Sequence, residues 1–130
     1  MKKLHLHAFA ISDVAITAAE HAQLDGTFLL KLDRLSPDLH DSYAQYRRTY
    51  RVFDENGRLM IQRLADGPER LFKQADGTYA MRSAPRTRVV ISVEGGHAAA
   101  LRLDTQGGGM PLSGARVGAG DPQTFHRQLQ

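Results

Sequence analysis

The sequence predicts an all-β domain, an antiparallel barrel or sandwich of about eight strands with one short helix ahead of them. Three observations predict it. Apolar and polar residues alternate in run after run from Thr27 onward. Glycine, proline or Asn-Gly turn signals close these runs at about eight- to twelve-residue spacing. No run is followed by the long helix that a parallel crossover requires.

The elements follow in order. Residues 2–11 alternate weakly, as an arm or an extra strand. Thr17-Ala18-Ala19-Glu20 is a capping box, and Ala18 to Leu24 then favours a short helix that Asp25-Gly26 stops. A helix this short suits a plug over one barrel end. Strand one is Thr27 to Leu32, with Phe28, Leu30 and Leu32 on one face and Thr27, Leu29 and Lys31 on the other. The longest connection follows, with a helical turn expected from Pro37 to Tyr46. Arg48 to Asp54 and Arg58 to Leu64 form a hairpin about Asn56-Gly57, since Asn-Gly supplies left-handed turn residues. Short strands Glu69 to Lys73 and Thr78 to Arg82 come next, separated by Asp76-Gly77. Pro85 breaks the chain before the β-prone run Arg86 to Glu94, followed by His97 to Thr105 and Met110 to Val117. Residues 118–130 are glycine-rich and polar and read as a flexible tail.

Composition sets limits on function. A chain of 130 residues is one domain with one core. The net charge of +3 is modest and comes mostly from arginine, which argues against a nucleic-acid footprint. The absence of cysteine excludes a disulfide framework, a thiolate zinc site and a cysteine nucleophile. Lys2 and Lys3 precede an apolar stretch, but His5 and His7 interrupt it and Asp13 ends it, so no convincing signal peptide is read. Nothing approaches the ~20 apolar residues of a membrane span. A soluble protein of the cytoplasm or periplasm is expected.

Several motifs then carry a family resemblance. Leu24-Asp25-Gly26-Thr27-Phe28 resembles the L-x-G-T-aromatic opening of calycin-type barrels, such as lipocalins and fatty-acid-binding proteins, with Phe28 where lipocalins carry Trp. Gly57-Arg58-Leu59-Met60-Ile61-Gln62, Ala98 to Leu103 ahead of Gln106-Gly107-Gly108, and Gly114-Ala115-Arg116-Val117 are similar to a narrower group. That group is the lipocalin-like domain at the C-terminus of bacterial serine hydrolases of the penicillin-binding and class C β-lactamase type. The resemblance covers roughly residues 20–117. It implies an eight-stranded up-and-down barrel over residues 17–117, preceded by an arm (1–16) and followed by the tail (118–130). It also implies a structural closure at Gly26, with Phe28 packed against Arg116 of the last strand. No serine here has lysine three residues on, so the hydrolase nucleophile motif is absent and a stand-alone accessory barrel is implied.

Alternation picks out an apolar face: Phe28, Leu30, Leu32, Tyr50, Val52, Leu59, Ile61, Tyr79, Met81, Val89, Ile91, Val93, Leu101 and Leu103. Within it Phe28, Leu30, Tyr50, Val52, Leu59, Ile61, Tyr79, Met81, Ile91 and Leu101 are the expected lining of a ligand cavity. Arg48, Arg51 and Arg88 are the expected anion-binding residues at a barrel mouth, within a basic and aromatic cluster that includes Arg47, Tyr43, Tyr46 and Arg86. Six histidines are spread over different elements, so no metal site is expected, and the glycine-dense stretches do not open a helix as a phosphate cradle does. Carboxylates show no acid/base spacing. The expectation is therefore a non-enzymatic, cofactor-free barrel that binds a small apolar or amphipathic anionic ligand or serves as an accessory module. The alternative is a side-chain-filled barrel acting in protein interaction, as a homodimer or beside a hydrolase partner.

Overall fold

The computed structural model describes residues 10–32, 48–64, 66–107 and 111–127. Helix α1 (Ala18–Leu24) leads into strand segments β1 (Gly26–Leu29), β2 (Lys31–Leu32), β3 (Thr49–Glu55), β4 (Arg58–Arg63) and β5 (Glu69–Arg70). They continue with β6 (Phe72–Lys73), β7 (Tyr79–Met81), β8 (Ala84–Glu94), β9 (His97–Thr105) and β10 (Leu112–Gly118), ahead of helix α2 (Pro122–Arg127). The ten segments are eight runs of chain, because only Leu30 separates β1 from β2 and only Leu71 separates β5 from β6. All pair antiparallel, in the order β5-β4-β3-β1-β10-β9-β8-β7-β6. Since β5 and β6 are halves of one run, the two ends of that order meet. The sheet nearly closes into an up-and-down barrel.

That closing run changes partner midway. Its first half pairs with β4, through Ile61↔Glu69 and Met60↔Arg70, and the Leu71 amide donates to the Leu59 carbonyl at 2.8 Å. Its second half pairs with β7, through Phe72↔Ala80 and Lys73↔Tyr79. The interruption at Leu30 has a different cause. Gly114 of β10 lies so close to β1 that a Cβ there would fall 1.8 Å from the Leu29 carbonyl oxygen. On the other side the Leu30 amide donates to the Arg48 carbonyl at 3.0 Å, which carries the β1–β3 register one residue further.

The hairpin at Asn56-Gly57 forms as its sequence requires, with φ of 54° and 81° at the two residues. Pro85, expected as a break, is the second residue of β8 and follows a register shift between Ala80 and Met81. A proline at a strand start beside an irregularity forfeits no ladder bond. The expected helical turn from Pro37 to Tyr46 lies outside the described residues, as does the arm or strand expected over residues 2–11 except for residues 10 and 11, which are not in a strand. Among the described residues of the N-terminal arm, only Val14 pairs with the sheet, in a single bridge to Lys73.

The inward faces form one contiguous core. Phe28, Leu30, Val52, Leu59, Ile61, Tyr79, Met81, Val89, Leu101 and Leu103 are buried in it, with Tyr50 and Ile91 packed against it. Val93 departs from the expected face and is 41% exposed, because the register slips between Ser92 and Val93 at the hairpin end of β8. Helix α1 packs on β3, β8 and β9 and sends Leu24 into the core, so it plugs the lower end, where β1 starts.

The plug is held by its cap. The Thr17 hydroxyl accepts from the Glu20 amide, and the Glu20 carboxylate accepts from the Thr17 amide, both at 3.1 Å. Thr17→Ala removes one side of this box and is expected to lower stability by about 1 kcal/mol in urea denaturation. The other Glu20 oxygen takes the Lys73 ammonium at 2.6 Å, tying the helix to β6.

The Lys73 hydrogen bond, aided by the Thr17 amide, holds the Glu20 carboxyl below its ordinary value. The Thr78 amide and hydroxyl do the same for Asp76. Groups depressed in the folded state contribute stability above the unfolded carboxylate range and lose it as pH falls through the folded values. Unfolding midpoints are therefore expected to fall below about pH 4.5, less steeply in Glu20→Gln. A midpoint that rises on acidification would contradict this.

The expected flexible tail is corrected for residues 118–127. Gly120 is buried against β3, where a Cβ would lie 2.3 Å from the Val52 carbonyl oxygen. Helix α2 buries Phe125 completely. The Arg51 guanidinium stacks at 3.8 Å over the Phe53 ring, sits 5.3 Å from the Phe125 ring centre, and donates to the Gly120 carbonyl at 3.0 Å. A short helix with one aromatic anchor is invisible to periodicity. Its docking surface is made by β3.

Candidate functional site at the upper end of the barrel

With α1 at the lower end, the upper end is where the inner face turns polar. Tyr50, Arg63 and Glu69 each lie two residues from a core position on their own strand (Val52, Ile61 and Leu71), so all three belong to the inward face. The register makes Tyr50 the direct partner of Arg63, and Ile61 that of Glu69. Three adjacent strands thus deliver a phenol, a guanidinium and a carboxylate to one rim.

Beneath and beside that rim is a cavity of about 320 Å³, lined by Tyr50, Ile61, Arg63, Asp66, Gly67, Glu69, Met81, Ser83 and Ala84. It sits where the first half of the closing run parts from the Met81 end of β7, and Ser83 spans the gap. The Ser83 amide donates to Glu69 Oε1 at 3.2 Å and its hydroxyl donates to Glu69 Oε2. Arg63 is held from the β4–β5 loop, with Nε 2.8 Å and a terminal nitrogen 2.7 Å from Asp66 Oδ2. The Gln62 side-chain amide donates to the Asp66 backbone carbonyl at 2.8 Å and fixes that loop. Burial raises the Tyr50 phenol above its ordinary value, against the opposing pull of Arg63. The phenol is a neutral hydrogen-bonding group near neutral pH.

The residues expected to line a ligand cavity therefore divide. Tyr50, Ile61 and Met81 line the mouth. Phe28, Leu30, Val52, Leu59, Tyr79 and Leu101 are buried in the core, and Ile91 packs against it. The side chain of Leu32 lies outside what is described. At the lower end Phe28 and Arg116 are direct cross-strand partners, and a Cβ on Gly26 would lie 2.9 Å from the Phe28 ring and 2.8 Å from Arg116 Nε. Arg116 Nε also donates to the Asp25 carbonyl at 3.1 Å, which ties the last strand to the end of α1.

The expected anion-binding set of Arg48, Arg51 and Arg88 is corrected, because the three do not converge. Arg51 alternates with inward Val52 and faces outward on β3, beneath α2. Arg88 alternates with inward Val89 and faces outward on β8, donating to the Pro85 carbonyl at 2.8 Å. The sheet order places β3 and β8 on opposite sides of the barrel. Arg48 stands at the upper end just before β3. Arg47, Tyr43 and Tyr46 lie outside the described residues.

Arg63, Asp66, Glu69 and Ser83 were not singled out by sequence reasoning. A signal was present for two of them: Arg63 and Glu69 share the parity of Ile61 and Leu71. Parity was followed only through apolar residues, so the polar rim continuing the same face went unread.

A second, shallower groove of about 540 Å³ lies at the lower end, between α1 and the β3–β4 hairpin. His21 Nδ1 is 2.9 Å from Asp54 Oδ1 there, without the angle of a formed hydrogen bond. Among the described residues no group of three His, Asp or Glu side chains is placed to hold a metal ion. His5, His7 and His40 lie outside those residues.

The fold and site define a nearly closed antiparallel β-barrel, with a helix packed at one end and, among the described residues, a polar rim around a cavity at the other. Comparison with protein-family models, curated proteins and solved structures returned no match.

Proposed function

We propose that this barrel is a lipocalin-like, non-enzymatic binder of one small amphipathic ligand, which enters the upper end and rests its apolar part on Tyr50, Ile61 and Met81. The observation that carries this reading is the cavity of about 320 Å³, with an apolar floor and a rim of fixed polar groups. Its size falls at the lower end of the range for small-molecule pockets, about 300–1,000 Å³. The lining below the mouth is packed, so the ligand is short. Chemistry at the rim favours binding over catalysis. The Ser83 hydroxyl donates its hydrogen bond to the Glu69 carboxylate, and the described histidines stand elsewhere: His21 in α1, His97 at the β8–β9 turn and His126 in α2. A nucleophilic serine is ordinarily activated by a histidine or an amine, and a carboxylate is a much weaker base.

The interaction-module reading has less support. Among the described residues the exposed large apolar side chains are Val14, Val93 and Val117, and they sit beside β6, on β8 and on β10, which are not neighbouring strands. Native mass spectrometry of the purified protein, with solvent extraction of what travels with it, tests the proposal. A stoichiometric amphipathic adduct is expected. A clean protein mass that no amphiphile can shift would contradict it.

A further inference from the structure

We infer that the ligand taken at this mouth carries a cationic head, an alkylammonium or similar amine, and that Glu69 is the residue that selects it; this rests on the reading of the mouth as a ligand site. The argument is one of charge balance inside a confined space. Arg63 and Asp66 are spent on one another, through two contacts of 2.7 and 2.8 Å to a single carboxylate oxygen. Glu69 has no such partner among the described residues. Its contacts are the amide and hydroxyl of Ser83, both neutral donors. A carboxylate has roughly four acceptor positions, so two remain for an incoming group.

The placement of Glu69 adds to this. It faces inward, half-buried, directly across from Ile61 of the cavity floor. Its charge therefore acts over a path partly screened from water, where it counts for more than on an open surface. Among the described residues that line the cavity, Arg63 and Asp66 cancel and the charge of Glu69 is left over. An anionic head meets that charge unpaired, whereas an ammonium satisfies it and leaves its chain over Tyr50, Ile61 and Met81. Ser83 holds the carboxylate in place beforehand, so little ordering is left for the moment of binding.

Octylamine, octanol and octanoate share one chain and differ in the head, and isothermal titration of each into the purified protein separates the possibilities. Octylamine is expected to bind at least about ten-fold more tightly than octanol, with octanoate weakest. In Glu69→Gln the amine should fall to the level of octanol while octanol itself is unchanged. Ser83→Ala keeps the charge and should keep the preference, which separates loss of the carboxylate from disturbance of the rim. Equal binding of octylamine and octanol, or tighter binding of octanoate, overturns the inference and leaves the mouth as a ligand site. If none of the three binds saturably, the mouth reading itself falls, and the inference with it.

Discussion

Phe28→Ala is expected to lower the unfolding free energy by about 3–5 kcal/mol, the range for a fully buried aromatic cut back to a methyl group. Phe28 has no exposed surface and belongs to the core cluster. It stands opposite both Tyr50 of β3 and Arg116 of β10, so its ring touches the faces of two neighbouring ladders. A cavity there has little means of collapsing, because the flanking backbones are fixed by hydrogen bonds on both sides. Urea denaturation followed by circular dichroism measures the loss. A loss under about 1 kcal/mol would show that the ring is not a core element.

Gly114→Ala is expected to be as damaging through the opposite mechanism, overpacking. The added Cβ would meet the Leu29 carbonyl oxygen at 1.8 Å and the Leu30 Cα at 2.8 Å, both backbone atoms that cannot rotate away. Relief requires β10 to move off β1 and β2 along the seam, and a cost of about 3 kcal/mol or more is expected. Gly67→Ala is the internal control. Nothing lies within 4 Å of a Cβ there, and its φ is not in the left-handed range, so its stability should be close to that of the parent. Equal stability of the two variants would contradict the close approach of β10 to β1.

Much of the barrel is legible in the sequence, because each strand is written locally. The run His97–Thr105 lies between glycine turns, and the strand has those bounds. The capping box at Thr17 and the Asn56-Gly57 turn are equally local, and both form. What cannot be read is tertiary in origin. The split at Leu30 follows from the approach of Gly114, distant in sequence. The split at Leu71 follows from a change of partner between β4 and β7. The C-terminal segment looks like a tail because its glycines serve close packing against β3, and its one anchor, Phe125, gives no period.

The site was legible in part. Alternation puts Tyr50, Ile61 and Met81 on the inner face, which is the floor of the mouth. The arginine cluster of β3 and β8 misled, since nearness in sequence or in composition says nothing about sides of a barrel. Arg51 serves the docking of α2 rather than an anion. The candidate rim instead comes from residues that continue apolar runs with the right parity but the wrong polarity for a core, Arg63 and Glu69.

The most direct measurement is a two-dimensional ¹H–¹⁵N NMR titration of the protein with octylamine. Saturable shifts are expected, concentrated at the amides of Tyr50, Arg63, Glu69, Met81 and Ser83 around the upper-end cavity. Shifts centred instead on Ala18, His21 and Ala22 in the lower groove, or spread over the surface without saturation, would contradict the reading of the mouth as a ligand site.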